Sequence, residues 1–474
     1  MSFELVIGIE IHCELKTKTK MFSGAPVSFA QEPNTCVNEI DLAHPGTLPS
    51  LNKKAVELSL TACKLFHLEI DRLLRFDRKN YYYSDLPKGF QITQQFFPVG
   101  KNGYVDIDVD GVSKRVRINR LHMEEDTAKQ FHRDDVTLID FNRAGTPLVE
   151  IVSEADMRSG KEAAAYVEKL RTMLEYGHIS DVKMEEGSMR CDVNISIRPI
   201  GVDAFGTKVE IKNLNSVNNV ERAIEYEFER QKTLLLSGQS VVQETRRFDE
   251  ATRTTVSMRK KEGSVDYKYF PEPNIFPVYV SDEMLAYVEA NLPEMPEDRF
   301  KRYTHEYQLN ETDAKLLVSN KALGDYFEQI VQLGGAVKLT SNWLISEVLA
   351  VVDQKGEQSF SQWINPTFFV ELFELLDKQV ISSKQAKEVF TWMLKGQSPK
   401  ATVEKQGMSQ VSDESLLLSW VEEVITANPQ SVIDYKNGKD RAIGFLVGQI
   451  MKLSKGKANP ALTSQMVKEA LSKR

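Results

Sequence analysis

Asp140-Phe141-Asn142-Arg143-Ala144-Gly145-Thr146-Pro147-Leu148-Val149-Glu150-Ile151-Val152-Ser153 sets an acid, an amide, an arginine and a second acid among apolar, Gly and Pro residues. A strand made only to fill a core alternates apolar and polar residues cleanly. Here ionisable groups sit in a run otherwise fit for burial, and buried charges are costly unless paired. The stretch therefore builds a site or supports one. Residues 147–152 read as a strand, and Gly145 with Pro147 sets the turn that leads into it.

Outward from this run, residues 3–12 (Phe-Glu-Leu-Val-Ile-Gly-Ile-Glu-Ile-His) read as a strand, as do 104–109, 113–119, 136–141, 190–198 and 207–212. Asp110-Gly111 is a hairpin turn within 101–119. Two helices interrupt the strands, one from about Lys161 to Gly177 and one from about Val217 to Gly238, with Gly as the stop signal. Thirteen of the 17 prolines precede residue 300, which separates a strand-and-loop-rich part from a helical one. Pro293 and Pro296 mark the boundary. Asp298 to about Lys395 reads as helical throughout. Gly396-Gln-Ser-Pro399 and the polar run to Ser412 read as a linker, followed by three or four short helices. At 474 residues the chain exceeds one ordinary core. The expected class is α+β: a domain of mixed or antiparallel sheets over 1–293, an all-α domain over 294–405 and a small helical tail over 406–474.

Hydrophobic content of 41% and charged content of 27% are ordinary for a soluble globular protein. A net charge of -8 argues against a simple basic nucleic-acid binder. Residues 436–474 nevertheless hold nine Lys/Arg against two acids, which suits a polyanion partner or a solvated helical face. No apolar run spans a bilayer: Trp343 to Val352 is broken by Ser346 and Glu347. The N-terminal residues lack the basic and apolar regions of a signal peptide, so a cytoplasmic protein without membrane contact is expected. Cys13, Cys36, Cys63 and Cys191 are scattered, with no C-x-x-C pair, and read as buried free thiols.

Phosphate-loop, dinucleotide, zincin and nucleophile-elbow motifs are all absent from the sequence. Acidic sets recur instead. Glu10 and His12 alternate on one strand and so share a face, as a metal-binding pair or a surface pair. Glu124-Glu125-Asp126 places three acids together, which repel unless compensated. Asp192 shares a face with Asn194, and Glu210 with Lys212. Four such sets in one domain favour a Mg²⁺ site over solvated charges. Residues 75–91 interleave Arg78, Lys79 and Lys88 with tyrosines, which suits phosphates plus a stacked base, or tyrosines packed on the body. Arg259-Lys260-Lys261 is a second such set. Gly444 and Gly448, four apart, indicate close helix packing or, alternatively, backbone approach to RNA.

Gly8-Ile-Glu-Ile-His12, Arg78-Lys-Asn-Tyr-Tyr-Tyr83, Asp85-Leu-Pro-Lys-Gly89, Asp140 to Ile151, Ser188-Met-Arg-Cys-Asp-Val-Asn194, Val209 to Ser216, Asp266 to Pro273 and Gly444 to Met451 occur in this order. Through them the chain resembles, essentially end to end, the B-subunit family of the aspartyl/glutamyl-tRNA(Asn/Gln) amidotransferases. The resemblance implies a three-subunit complex acting on mischarged Glu-tRNA(Gln), and in many organisms on Asp-tRNA(Asn). It implies that the B chain uses ATP and Mg²⁺ to phosphorylate the side-chain carboxylate of the aminoacyl group. Ammonia from the glutaminase (A) chain then displaces the phosphate, and a small (C) chain straps the two together. The implied fold is a cradle, a helical domain and a YqeY-like tail that grips the tRNA.

With the resemblance, the expected metal set is Glu10, His12, Glu124, Glu125, Asp192 and Glu210, and Lys79, Lys88 and Glu125 are the expected catalytic groups. Arg78, Tyr81, Tyr82, Arg143, Arg259 and Lys260 are expected to bind ATP, phosphate or the tRNA end, and Lys452, Lys455 and Lys457 the tRNA body. Asn142, Arg143 and Glu150 are expected as charge-paired support beside the cleft. Many relatives carry a Cys pair before the segment that is Pro45-Gly-Thr-Leu-Pro49 here. This chain has only Cys36, with Glu39 where the second might fall, so no zinc is expected. The alternative is a tRNA-binding scaffold without chemistry. A free-standing metal hydrolase is weakened by the absent motifs.

Overall fold

The computed structural model describes residues 2–260, 266–351, 360–408, 414–437, 439, 441–454 and 458–473. Its architecture starts from the alternation of strand β1 (Phe3–Glu14). Leu5, Ile7, Ile9, Ile11 and Cys13 are buried, while Glu4, Gly8, Glu10, His12 and Glu14 are half-buried on the other side. β1 is the central strand of a nine-stranded sheet. In chain order its companions are β2 (Glu69–Ile70), β3 (Gly100–Val109), β4 (Val112–Glu125), β5 (Pro147–Ser153), β6 (Met189–Pro199), β7 (Val209–Leu214), β8 (Glu244–Asp249) and β9 (Thr254–Lys260). Across the sheet the order is β9-β8-β7-β6-β1-β5-β4-β3-β2.

Every pairing is antiparallel except β7 with β8. β5 and β6 flank β1 antiparallel to it, so they run parallel to each other. Parallel strands cannot be joined by a hairpin. Of the helices α1 (Lys53–Leu65), α2 (Gly160–Tyr176) and α3 (Val217–Leu236), the second makes the β5–β6 crossover and the third the β7–β8 crossover. Tyr166, Leu170 and Leu174 of α2 and Val220 and Ile224 of α3 share one buried cluster with the odd-numbered residues of β1. Each large apolar side chain buried there contributes about 1.5–3 kcal/mol. That leaves the even-numbered face of the central strands open to carry charge.

Several expectations change. α1 is not among the expected helices; its Ser59 and Thr61 hydroxyls donate to the Ala55 and Glu57 carbonyls one turn back, so the polar residues are satisfied inside a helix. A further helix spans Asp282–Ala290. β4 runs on to Glu125 instead of stopping at residue 119. A separate three-stranded sheet joins Asp77–Asn80 to Phe90–Thr93 and Phe270–Pro271.

The described chain divides into two compact units, Met1–Pro296 and Glu297–Arg474. In the second, all-helical unit, Tyr326, Trp343, Phe369 and Phe390 pack edge-on or tilted around one another. A second cluster near the C-terminus gathers Leu417, Val421, Ile425, Leu446, Ile450 and Val467. The expected linker is partly a helix, Pro399–Gln406. Ser398 caps it and Pro399 opens it, so the Ser-Pro pair that reads as a breaker is a helix start. Gly444 and Gly448 do not mark close packing among the described residues, where a Cβ built on either meets nothing within 4 Å. Among the described residues no helix is long and apolar enough to cross a membrane.

Candidate active site on the open face of the sheet

The register of the central strands decides which side chains meet. Glu10 lies opposite Asp192 on β6, and His12 lies opposite Glu150 on β5 and Arg190 on β6. Glu150 in turn faces His122 on β4, and Asn194 faces Glu210 on β7. Because side chains alternate with a period of two, all of these project from the open face. They form two groups.

In the first, single ligand atoms of His12, Glu124 and Glu150 lie within 4.8 Å of one another. His12 Nε2 is 3.5 Å from Glu124 Oε1 and 3.4 Å from Glu150 Oε2. His122 backs the pair, with Nε2 3.1 Å from Glu150 and 3.6 Å from Glu124. Its Nδ1 is buried with no hydrogen-bond partner among the described residues. Burial alone would lower the imidazole of His12, but Glu150 and Glu124 outweigh it and push it up to about 9. His122 is raised against its burial by the same two acids. Burial likewise works against both carboxylates, yet the two histidines hold Glu124 below and Glu150 well below the ordinary range. One imidazole and two carboxylates make a donor set that fits a divalent cation.

In the second group, Glu10, Asp192 and Glu210 likewise bring one oxygen each within 4.8 Å of one another. Lys212 Nζ bridges Asp192 at 2.9 Å and Glu210 at 3.2 Å. Burial would lower this ammonium, but the two carboxylates raise it well above its ordinary range. Asn194 donates to Glu10 at 2.8 Å and Thr245 donates to Glu210 at 2.9 Å, which fixes the orientation of both acids. An all-oxygen set of this kind suits Mg²⁺.

A cleft of about 590 Å³ is lined by His12 and Glu124 of the first group and by Asp192 of the second, together with Lys212, Lys79, Tyr81 and Arg190, while Glu10 borders a neighbouring hollow. Lys79 Nζ stands 4.9 Å from the centre of the Tyr267 ring. Arg190 is paired with Asp126 at 2.9 Å. Burial, with the nearby acids Asp85 and Glu124 adding to it, holds the Tyr81 phenol in its neutral form.

Not every expected residue joins the cleft. Glu124 and Glu125 form one set in the sequence, but neighbours on a strand point to opposite faces. Glu125 is ion-paired with Lys88 and accepts from the Ile92 amide at 2.9 Å. The two line a separate pocket of about 230 Å³, with Arg78 on the same wall. Arg78 is held there by two bonds to Glu272, at 2.6 and 3.1 Å. Tyr82 is 98% exposed and lines neither pocket. Arg143 donates to the Thr127 and Ala128 carbonyls and lies 3.5 Å from Asp126. Arg259 and Lys260 end edge strand β9, and their side chains lie outside the described residues. Lys452 is exposed in the last turn of the helix Arg441–Leu453, whereas Lys455 and Lys457 lie outside the described residues. Cys36 is a buried free thiol.

The opening run has both jobs. Asp140 accepts from the amides of Asn34 and Asn142, and Asn142 bonds Cys36 N and Glu32 O, so the two fasten the 32–36 loop. Gly145 turns the chain with φ +81°, a conformation that favours glycine. Glu150 is charge-paired with His12 and His122 and lies within the first acidic group. His122, against Glu124 and Glu150, and Arg190, in the lining of the cleft, are not among the residues expected from the sequence. Parity would have found them: each sits two residues from an acid already singled out.

Comparisons with known proteins agree in extent with this architecture. The family model described as GatB/GatE catalytic domain matches residues 5–286, and that described as GatB domain matches 325–471. Over all of both chains, the sequence is 52% identical to the B subunit of the aspartyl/glutamyl-tRNA(Asn/Gln) amidotransferase from Geobacillus thermodenitrificans (strain NG80-2). It is 51% identical, again over all of both chains, to the protein of that name from Staphylococcus aureus (strain MRSA252).

Proposed function

Since this chain belongs to the B-subunit family of the aspartyl/glutamyl-tRNA(Asn/Gln) amidotransferases, we propose that it is the ATP-consuming component of a tRNA-dependent amidotransferase, a carbon–nitrogen ligase. Its substrates are Glu-tRNA(Gln) and Asp-tRNA(Asn). Its partners are the glutaminase (A) and small (C) chains of a heterotrimer, and its setting is the cytoplasm. Residues 1–293 carry the chemistry, and residues 406–474 grip the tRNA body with the basic tail. The observation that carries the reading is a cleft in which His12 and Glu124 of one acidic group and Asp192 of the other meet Lys79, Arg190 and Lys212.

A carboxylate is a poor electrophile, and phosphorylation gives it a leaving group. A side-chain oxygen of the aminoacyl group attacks the γ-phosphorus of ATP, and ADP departs with the electrons of the broken bond. Ammonia then adds to the carbonyl carbon, phosphate leaves and the amide remains. Glu10, Asp192 and Glu210, and separately His12, Glu124 and Glu150, are the residues that would hold Mg²⁺. When bound, it offsets phosphate charge and orients the oxygens. Lys79 and Arg190 add fixed positive charge where negative charge gathers in the transition state. Lys212 keeps Asp192 and Glu210 in register. The convergence of Glu10, Asp192 and Glu210 favours chemistry over a passive tRNA scaffold.

The test supplies the assembled complex with Glu-tRNA(Gln) and γ-phosphate-labelled ATP, without an ammonia source. Label is expected to move to the aminoacyl-tRNA with the wild type. Asp192→Asn is expected to slow it by roughly 10²–10³-fold, the scale set by removing one electrostatic group from an active site. Normal transfer by the variant overturns the assignment of the cleft.

A further inference from the structure

The open face does not end at His12. Past the first acidic group it continues into a pocket of about 330 Å³ that the reaction above leaves without a role. Glu14 of β1, Thr146 just before β5 and Ser188 just before β6 line this pocket. Each is two residues along the chain from a residue of the cleft: His12, Leu148 and Arg190. Leu148 also lies directly opposite Glu14, so pocket and cleft are neighbours on one surface.

Four acids line the pocket, and three of them are satisfied within the chain. Asp181 is ion-paired with Lys16, Glu186 is ion-paired with Lys183, and Asp140 accepts from two backbone amides. Glu14 differs: it is half-buried, and among the described residues no hydrogen bond or ion pair reaches its side chain. The cations near it, Arg190, Arg143 and Lys129, are engaged elsewhere. Arg190 is paired with Asp126, Arg143 donates to the Thr127 and Ala128 carbonyls, and Lys129 Nζ stands 5.8 Å from the centre of the Phe29 ring. Withdrawing a carboxylate from water without a partner is costly, and a cation brought in by a ligand offsets that cost. The rim of the pocket is aromatic, with Phe29 61% and Phe131 47% exposed.

We propose that Glu14 receives the α-ammonium of the aminoacyl group and so makes a free amine a condition of good binding. The assignment rests on the reading of the cleft as the site where an aminoacyl-tRNA is amidated. The substrate in that reading is charged at both ends: its side-chain carboxylate reacts, and its ammonium lies at the far end of the same residue. Side chains two apart on a strand leave the sheet roughly 7 Å from each other. The span from His12 to Glu14 is thus comparable to an extended glutamyl group. With the carboxylate beside His12 and Lys79, the ammonium falls at Glu14 and donates to its carboxylate. The ester then leaves past Phe29 and Phe131, whose exposed rings suit the nucleotide that carries it.

The test measures amidation by the assembled complex, with glutamine and ATP, of Glu-tRNA(Gln) and of its α-hydroxyglutaryl counterpart, in which a hydroxyl replaces the amine. The wild type is expected to favour Glu-tRNA(Gln) by about ten- to a hundredfold in kcat/KM, chiefly through KM, the scale of a hydrogen bond between charged groups. Glu14→Gln is expected to bring that ratio near one, and Glu14→Asp to keep part of it. Equal use of the two esters by the wild type overturns the assignment of Glu14. So does a Glu14→Gln complex that loses both esters equally and keeps the wild-type ratio, which is the signature of a merely structural role. A wild-type complex that amidates neither ester overturns the reading of the cleft, and the assignment with it.

Discussion

The two faces of the nine-stranded sheet are made by the same strands, residue by residue, and they behave as different materials. On β1 the odd positions Ile7, Ile9 and Ile11 are at most 1% exposed within an apolar core, whereas on the other side His12 faces a cleft lined with acids and cations and Glu10 meets Asp192 and Glu210. The pair Glu124 and Glu125 repeats the lesson with two identical side chains. One meets histidines on the open face, and the other meets Lys88 and a backbone amide. Chemical type alone does not assign a role; strand parity does.

The sharpest way to break this contrast is to strip the partner from the acid on the wrong side. Lys88→Ala leaves Glu125 charged, nearly inaccessible and unpaired, which is expected to cost about 3–5 kcal/mol. Chemical denaturation of the isolated chain measures it, and a loss below about 1 kcal/mol would make Glu125 no different from a solvated acid. Next is the dry face itself. Ile9→Ala removes fully buried aliphatic volume and is expected to cost about 2–5 kcal/mol, while each folded molecule keeps its phosphoryl-transfer rate. A selective loss of that rate would mean the two faces are coupled.

The smallest effect is a pH dependence confined to the open face. His12 has a folded-state value of about 9 against an ordinary 6.5. Its contribution to stability is therefore complete below about pH 6.5 and is lost as pH rises through about 9. Glu124 and Glu150 are lowered, so theirs is present above the ordinary glutamate range and lost as pH falls. In chelator-treated protein, His12→Asn is expected to flatten the alkaline limb of a stability-versus-pH curve. An alkaline limb that survives in the variant would assign it to other groups.

Parity also explains what was legible in the sequence. The alternation of residues 3–12 put Glu10 and His12 on one face, and the same spacing paired Asp192 with Asn194 and Glu210 with Lys212. Which strands lie side by side was not legible, because each contact joins segments far apart in the chain. Glu150 meets His12 only through the β1–β5 register. Reading 113–119 as the whole of β4 removed the parity information for residues 120–125, and so merged Glu124 with Glu125 and passed over His122. In α1 the hydroxyl residues masked an amphipathic pattern, and at 398–399 a Ser-Pro pair carried two opposite meanings that only the packed helix separates.

The central position of β1 has a consequence for how the chain is made. β1 is synthesised well before its sheet neighbours, β5 and β6. Val152, the partner of Glu10, is synthesised roughly 140 residues later. At about 5–20 residues per second, the apolar edge of β1 waits on the order of 10–30 s for a partner. During that interval the nascent segment offers unpaired backbone and a row of isoleucines to any other strand nearby. The arrangement that sets Glu10 and His12 in the middle of the sheet therefore makes β1 dependent on protection during synthesis.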